Sequence, residues 1–307
     1  MEQQEINLPT SPKGWAIHLT KLLNLVAEAH NSERFPVDVS SIAAEYSRQV
    51  FPADPIALID SRDFERRFEG GLFKLPNGGG WAIFYNSSIK SRGRKNFTLA
   101  HELGHYLLHR AKTADDMLCS RSDMWKWDSE YGLMEAEANE FASYLLMPLD
   151  DFRAQTSSFK RPSITDFEAI RDRYAVSLTA AILKWLEITS ARAMIVVSRD
   201  GFVDWAWSSK PLIRSGVILK LKQNVIEVPD HSVAASLSES GLDYACEDVP
   251  AGVWSDIEAV QESALVSEYH DQTISLLIYP KKREWRGQGY DDNEEAELVE
   301  SWTAKFK

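Results

Sequence analysis

The stretch His101-Glu102-Leu103-Gly104-His105 constrains this chain more than any other. Apolar residues at 97, 99, 100, 103, 107 and 108 give the surrounding segment a largely helical spacing. Residues i and i+4 share a helix face, so both imidazoles can reach one metal ion. Glu102, beside the first histidine, can then touch a water held by that ion. Gly104 costs a helix roughly 1 kcal/mol relative to Ala. Its presence predicts something packed close to the backbone, with a metal or a substrate strand as natural candidates.

Two histidines need a third protein ligand if one zinc position is to stay open for water. A second helix is predicted over residues 134 to 147, stopped by Pro148, and it carries Glu135, Glu137 and Glu140. Glu135 and Asn139 are i and i+4 and share a face, which makes Glu135 the expected ligand and Asn139 a group that orients a ligating side chain. Glu137 lies about 200° around the helix from Glu135 and is the reserve. Apart from that reserve role, Glu137 and Glu140 read as a solvated acidic stripe. The expected centre is one Zn2+ per chain on His101, His105 and Glu135, with Glu102 as general base.

A chain of 307 residues can hold two domains, or one with a substantial appendage. Its 44% apolar and 26% charged residues describe an ordinary folded protein. No run of 18 or more apolar residues exists to span a bilayer, and the acidic, polar start is wrong for a secretory signal; a cytosolic location is expected. Cys119 and Cys246 are the only cysteines and lie far apart, which excludes a thiolate zinc site and a disulfide framework. A net charge of -12 argues against a surface built for phosphate, so direct nucleic-acid binding is not expected. Two basic runs survive that argument, Lys90 to Lys95 and Lys281 to Arg283 with Arg286. Both read as solvated faces, with an active-site rim as the rival for the first.

Trp15, Leu19, Leu22, Leu23 and Val26 form a helical stripe expected to face a core, and Pro36 separates it from a helix beginning near Ser40 or Ser41. Residues 55–59 read as a strand. Residues 71–75 and 81–85 read as a hairpin around Pro76-Asn77-Gly78-Gly79-Gly80, which lacks the Gly-Lys-Ser/Thr of a phosphate loop. That hairpin could offer an edge to a substrate strand. Residues 111–133 read as a loop over the cleft, anchored by Trp125 and Trp127. Residues 166–188 have the outline of a helix-turn-helix. The second helix is apolar or small except for Lys184, which favours packing over DNA reading. Strands follow at 194–197, 202–207 and 273–279, with an Asp200-Gly201 hairpin turn between the first two, and an acidic helix is expected from 291 to 305.

Arg94-Lys95-Asn96-Phe97-Thr98-Leu99-Ala100-His101-Glu102-Leu103-Gly104-His105-Tyr106-Leu107-Leu108-His109 resembles the ImmA/IrrE family of metallopeptidases. So does the segment from Glu135 to Pro148 that ends Phe141-Ala142-Ser143-Tyr144-Leu145-Leu146-Met147-Pro148. The fold class is then α+β: the resemblance implies a zincin-like core over 1–150 and allows the helix-turn-helix-like segment over 151–190, while the strand pattern makes 191–307 a second α+β domain, a place that is GAF-like in some relatives. The resemblance also implies a site-specific zinc endopeptidase whose substrate is a helix-turn-helix repressor in a stress or mobile-element response. His101, His105 and Glu135 would be the ligands and Glu102 the base. His109 matches a position often occupied in the family, but it is two turns from His101 and a fourth ligand would close the site. The rival reading is a non-catalytic regulatory protein that uses the zinc fold as a scaffold to bind DNA or a partner protein. The intact Glu102 counts against it.

Overall fold

A computed structural model describes residues 8–64, 68–112, 117–120, 130–219, 225–267 and 271–281. The expected anchors Trp125 and Trp127, the second basic run beyond Lys281 and the expected terminal helix lie outside the described residues. The chain divides into two compact units, the first running to Ala154 and regaining Asp172–Ser177, the second holding Gln155–Arg171 and resuming at Leu178. No helix among the described residues is long and apolar enough to cross a membrane.

The first unit contains α1 (Pro12–His30), α2 (Val39–Val50), β1 (Ile56–Arg62), β2 (Phe68–Lys74), β3 (Trp81–Asn86), α3 (Arg92–His109), β4 (Met117–Ser120) and α4 (Glu130–Leu146). Ser11 caps α1 by accepting from the Gly14 amide, with Pro12 at the first helical position. The stripe expected on α1 is buried only in its first half. Trp15 and Leu19 are in the core, whereas Leu22 is 38% and Val26 45% exposed. The first half is where α1 meets α4: Lys13 pairs with Glu140 at 3.0 Å and lies 5.0 Å from the Tyr144 ring centre. In α2 the start moves forward to Val39, because the Asp38 carboxylate accepts from the Ser41 amide at 3.1 Å and the Ser41 hydroxyl at 2.8 Å.

The sheet order is β1-β3-β2-β4. The expected hairpin is present: β2 and β3 run antiparallel with Lys74 opposite Trp81, around a short 3-10 turn at Pro76–Gly78. At Gly80, φ is +83° and an added Cβ would lie 2.2 Å from the Pro55 carbonyl, so this corner requires glycine. β1 pairs parallel to β3, and β4 pairs antiparallel to the other edge of β2. β4 falls inside the stretch read as loop. Four residues are too few to show a period, and it is pairing with Phe68–Leu72 that makes them a strand. α3 packs on β2, β3 and α4. The returning piece is tied in firmly, since Arg173 donates twice to Asp151 at 2.8 Å and the Tyr174 ring stacks on Phe152 and meets Phe35 edge-on. Gly93, at the start of α3, accepts the Val176 backbone so closely that a Cβ would lie 2.5 Å from the Val176 carbonyl carbon.

The second unit is built on a five-stranded antiparallel sheet of order β6-β5-β9-β8-β7. Before it come α5 (Leu149–Thr156), which begins in the first unit, α6 (Glu168–Tyr174), whose last residues return to the first unit, and α7 (Leu178–Ile188). The sheet itself consists of β5 (Ala193–Arg199), β6 (Phe202–Ser208), β7 (Tyr244–Val249), β8 (Val260–Ser267) and β9 (Gln272–Ile278). Asp200 and Gly201 turn the first hairpin with φ of 51° and 79°, as the Asp-Gly signal predicts. Glu262 in β8 is fully buried and accepts from the amides of Val233 and Ala234, the Trp254 indole and the Ser275 hydroxyl, at 2.7–3.1 Å. Buried Glu262 and Ser263 break the apolar pattern of β8, and sequence reading passes over it. In α7 the buried set is Leu178, Ala180 through Leu186 and nothing polar beyond Lys184. A groove-reading helix needs a free polar face, and these residues do not supply one.

Candidate metal centre

Ser91 caps α3 through the Arg94 amide at 3.4 Å. The basic run at its start does not form one charged rim. Arg94 pairs with Glu69, and Lys95 donates to the Tyr85 hydroxyl at 2.8 Å while lying 4.2 Å from the centre of that ring. Arg92 is exposed.

One turn further on, α3 turns inward. His101 is 2% exposed, and Glu102 and His105 are fully buried. The Nε2 atoms of His101 and His105 stand 3.0 Å apart. From α4, the Glu135 carboxylate closes the triangle, with Oε2 3.4 Å from His101 Nε2 and Oε1 3.1 Å from His105 Nε2. One donor atom from each of the three lies within 4.8 Å of the others. Two imidazole nitrogens and a carboxylate oxygen are a donor set that suits zinc and leaves a position open.

Gly104 explains how the two helices come close enough. A Cβ there would sit 3.0 Å from Phe141 Cδ1, 3.1 Å from Ala138 Cα and 3.3 Å from its carbonyl oxygen. The neighbour packed against this glycine is thus the backbone of α4 together with Phe141. The strand makes its own close approach elsewhere. At Gly70 in β2 a Cβ would lie 2.5 Å from Thr98 Cγ2 and 3.1 Å from Glu102 Oε1. Sequence reading missed Gly70; the adjacent pair Gly70-Gly71 inside a strand was the available signal.

Around the trio, each histidine is held from behind. His101 Nδ1 lies 2.9 Å from Asn139 Oδ1, the partner expected from the i, i+4 placement on α4. His105 Nδ1 lies 3.0 Å from His109 Nδ1, and His109 Nε2 lies 2.8 Å from Glu137 Oε2. Glu137 is therefore outside the trio, and one of its oxygens reaches the buried His109. Glu140 is engaged as well, by Lys13. Both carboxylates stay partly exposed, 44% for Glu137 and 34% for Glu140, as expected of a solvated stripe, and each has a partner as well.

Burial pushes the Glu135 carboxyl up, but the charge of His101 and hydrogen bonds from His101 and His105 outweigh it and hold the group well below the ordinary carboxylate range. Burial pulls His109 down to about 4 in spite of its bond to Glu137, so this ring is neutral at physiological pH.

Residues 58–186 match the peptidase family model described as the IrrE N-terminal-like domain. This segment, less than half of the chain, resembles the IrrE-like peptidase family. The matched span includes both helices of the trio. Comparison with curated proteins gives no match. As a peptidase domain, the IrrE-like segment implies a protein substrate.

Proposed function

We propose that this chain is a zinc-dependent, site-specific endopeptidase of the cytosol that cleaves a helix-turn-helix repressor in a stress or mobile-element response. The observation that carries the hydrolytic part is the convergence of His101 and His105 on α3 with the Glu135 carboxylate on α4, ligand atoms within 4.8 Å of one another, beside Glu102 of α3. The choice of repressor rests on the resemblance to the ImmA/IrrE family. His101, His105 and Glu135 would hold the metal. A zinc ion there supplies a Lewis acid for the scissile carbonyl and lowers the pKa of water toward about 7. Glu102 takes the proton that water gives up as it adds to the carbonyl carbon, then delivers it to the amide nitrogen as the C–N bond breaks. Asn139 keeps the His101 ring in orientation while this happens.

The test is to purify the chain, measure its zinc, and co-express it with a helix-turn-helix repressor drawn from the genes that neighbour its own. One zinc per chain and a repressor fragment that disappears with Glu102→Gln support the reading. Cleavage that persists in Glu102→Gln overturns the mechanism, and an intact repressor in the presence of zinc-loaded protein overturns the substrate.

A further inference from the structure

The basic run at the start of α3 serves two different places. Arg94 is drawn to Glu69 on β2, whereas Arg92, Lys95, Asn96 and Leu99 follow one another at i, i+3, i+4 and i+7 and share a single helix face. From Leu99 to His101 the helix turns about 200°, so this face points away from the trio. It borders a cavity of about 300 Å³ that lies wholly within the first unit, lined on its other sides by Val37 and Val39 around the start of α2 and by Ala175 of the returning piece.

The lining divides by chemistry. Val37, Val39 and Leu99 are buried and supply an apolar floor. The polar side chains with capacity to spare are donors. Asp38, the one acid in the lining, has each oxygen engaged by Ser41, Oδ1 by its amide at 3.1 Å and Oδ2 by its hydroxyl at 2.8 Å. Lys95 gives one of its three N–H groups to the Tyr85 hydroxyl. Arg92 is exposed and makes no hydrogen bond or ion pair with the described residues. Asn96 donates to the Ala175 carbonyl at 3.5 Å, longer than an ordinary hydrogen bond. Ala175 itself holds a φ of +48°, a conformation that strains a residue with a Cβ and that collects at ligand clamps and switches.

We propose that this cavity is a binding site for a small organic anion, a carboxylate or phosphate carrying a compact apolar body. The Arg92 fork and the Lys95 ammonium take the charged head, and Val39 and Leu99 take the body. The volume lies at the small end of the range for ligand sites, roughly 300–1,000 Å³, which restricts the body to a compact one. The site is separate from the metal centre, because it faces the opposite side of α3. A ligand there joins α3 to α2 and to the returning piece, so binding is read as stabilisation of the first unit.

Thermal unfolding of the full-length chain tests this with benzoate and phenyl phosphate as probes, each against sodium chloride of equal ionic strength. At least one should raise the transition by roughly 5–10 °C at a hundredfold excess over its Kd, and which one does so tells a carboxylate head from a phosphate head. Acetate and inorganic phosphate, which carry the charge without the ring, should act more weakly at the same concentration. Arg92→Ser removes an exposed side chain with no partner among the described residues, so the fold is kept. It should weaken binding about 10- to 100-fold in calorimetric titration. No rise beyond the chloride control with either probe overturns the proposal. So does a rise that survives in Arg92→Ser, since the anion would then sit elsewhere, the metal position included. A ring that adds nothing over the bare anion overturns it as well.

Discussion

Glu102 is wholly buried yet shares its strand-facing side with Gly70, whose missing side chain leaves the carboxylate oxygen room against β2. A neutral isostere fits the same space but cannot take a proton. Glu102→Gln should therefore retain zinc while cleavage falls by about 100- to 10,000-fold, read by metal content and fragment yield together. His109 carries a second prediction. Its pKa is about 4 in the folded chain, below the ordinary histidine value of about 6.5. The unfolded chain thus binds the extra proton first. The stability this group contributes is complete above pH 6.5 and is lost as pH falls from there toward 4. In denaturant unfolding of the metal-free protein, His109→Gln should show a shallower loss across that window, and an unchanged slope would contradict the assignment. At this scale the two histidines, Glu102 and Glu135 could be picked out because i, i+4 geometry is local to one helix. The His109–Glu137 contact could not be foreseen, since it depends on how α3 and α4 are rotated against each other.

The seam between α3 and α4 is set by backbone proximity at Gly104 and Ala138. Gly104→Val would add a branched side chain where even a Cβ lies 3.1 Å from Ala138 Cα and 3.3 Å from its carbonyl oxygen. Overpacking of this kind costs about 1–3 kcal/mol, and separating the helices would also draw Glu135 away from the histidines. Urea unfolding and zinc titration should both register the change; a variant as stable and as zinc-avid as the unaltered chain would show that the seam tolerates widening. Period and turn chemistry made the helices and the β2–β3 hairpin readable, because each follows from its own residues. The parallel pairing of β1 with β3 and the existence of β4 and β8 were not readable for different reasons. Strand order is set by distant partners, β4 is too short to show alternation, and β8 buries Glu262 and Ser263 where apolar residues would announce a strand.

At the scale of the whole molecule, a metal that binds only the folded state raises stability by mass action, about 2.7 kcal/mol at a hundredfold excess over Kd. Calorimetry with zinc should move upward the transition that contains α3 and α4, and a chelator should return it. A transition that ignores zinc throughout would argue against a built metal centre. The way the chain visits its units has a practical consequence for gene design. It leaves the first unit after Ala154, comes back for Asp172–Ser177, and leaves again. A clone that ends at Ala154 would discard Arg173 and Tyr174, both engaged with Asp151, and the Val176 backbone that fills the space beside Gly93. Such a fragment should express poorly or precipitate, whereas one that ends after Ser177 keeps the plug but truncates the other unit. No single stop codon or protease nick can therefore free one half of this protein intact from the other.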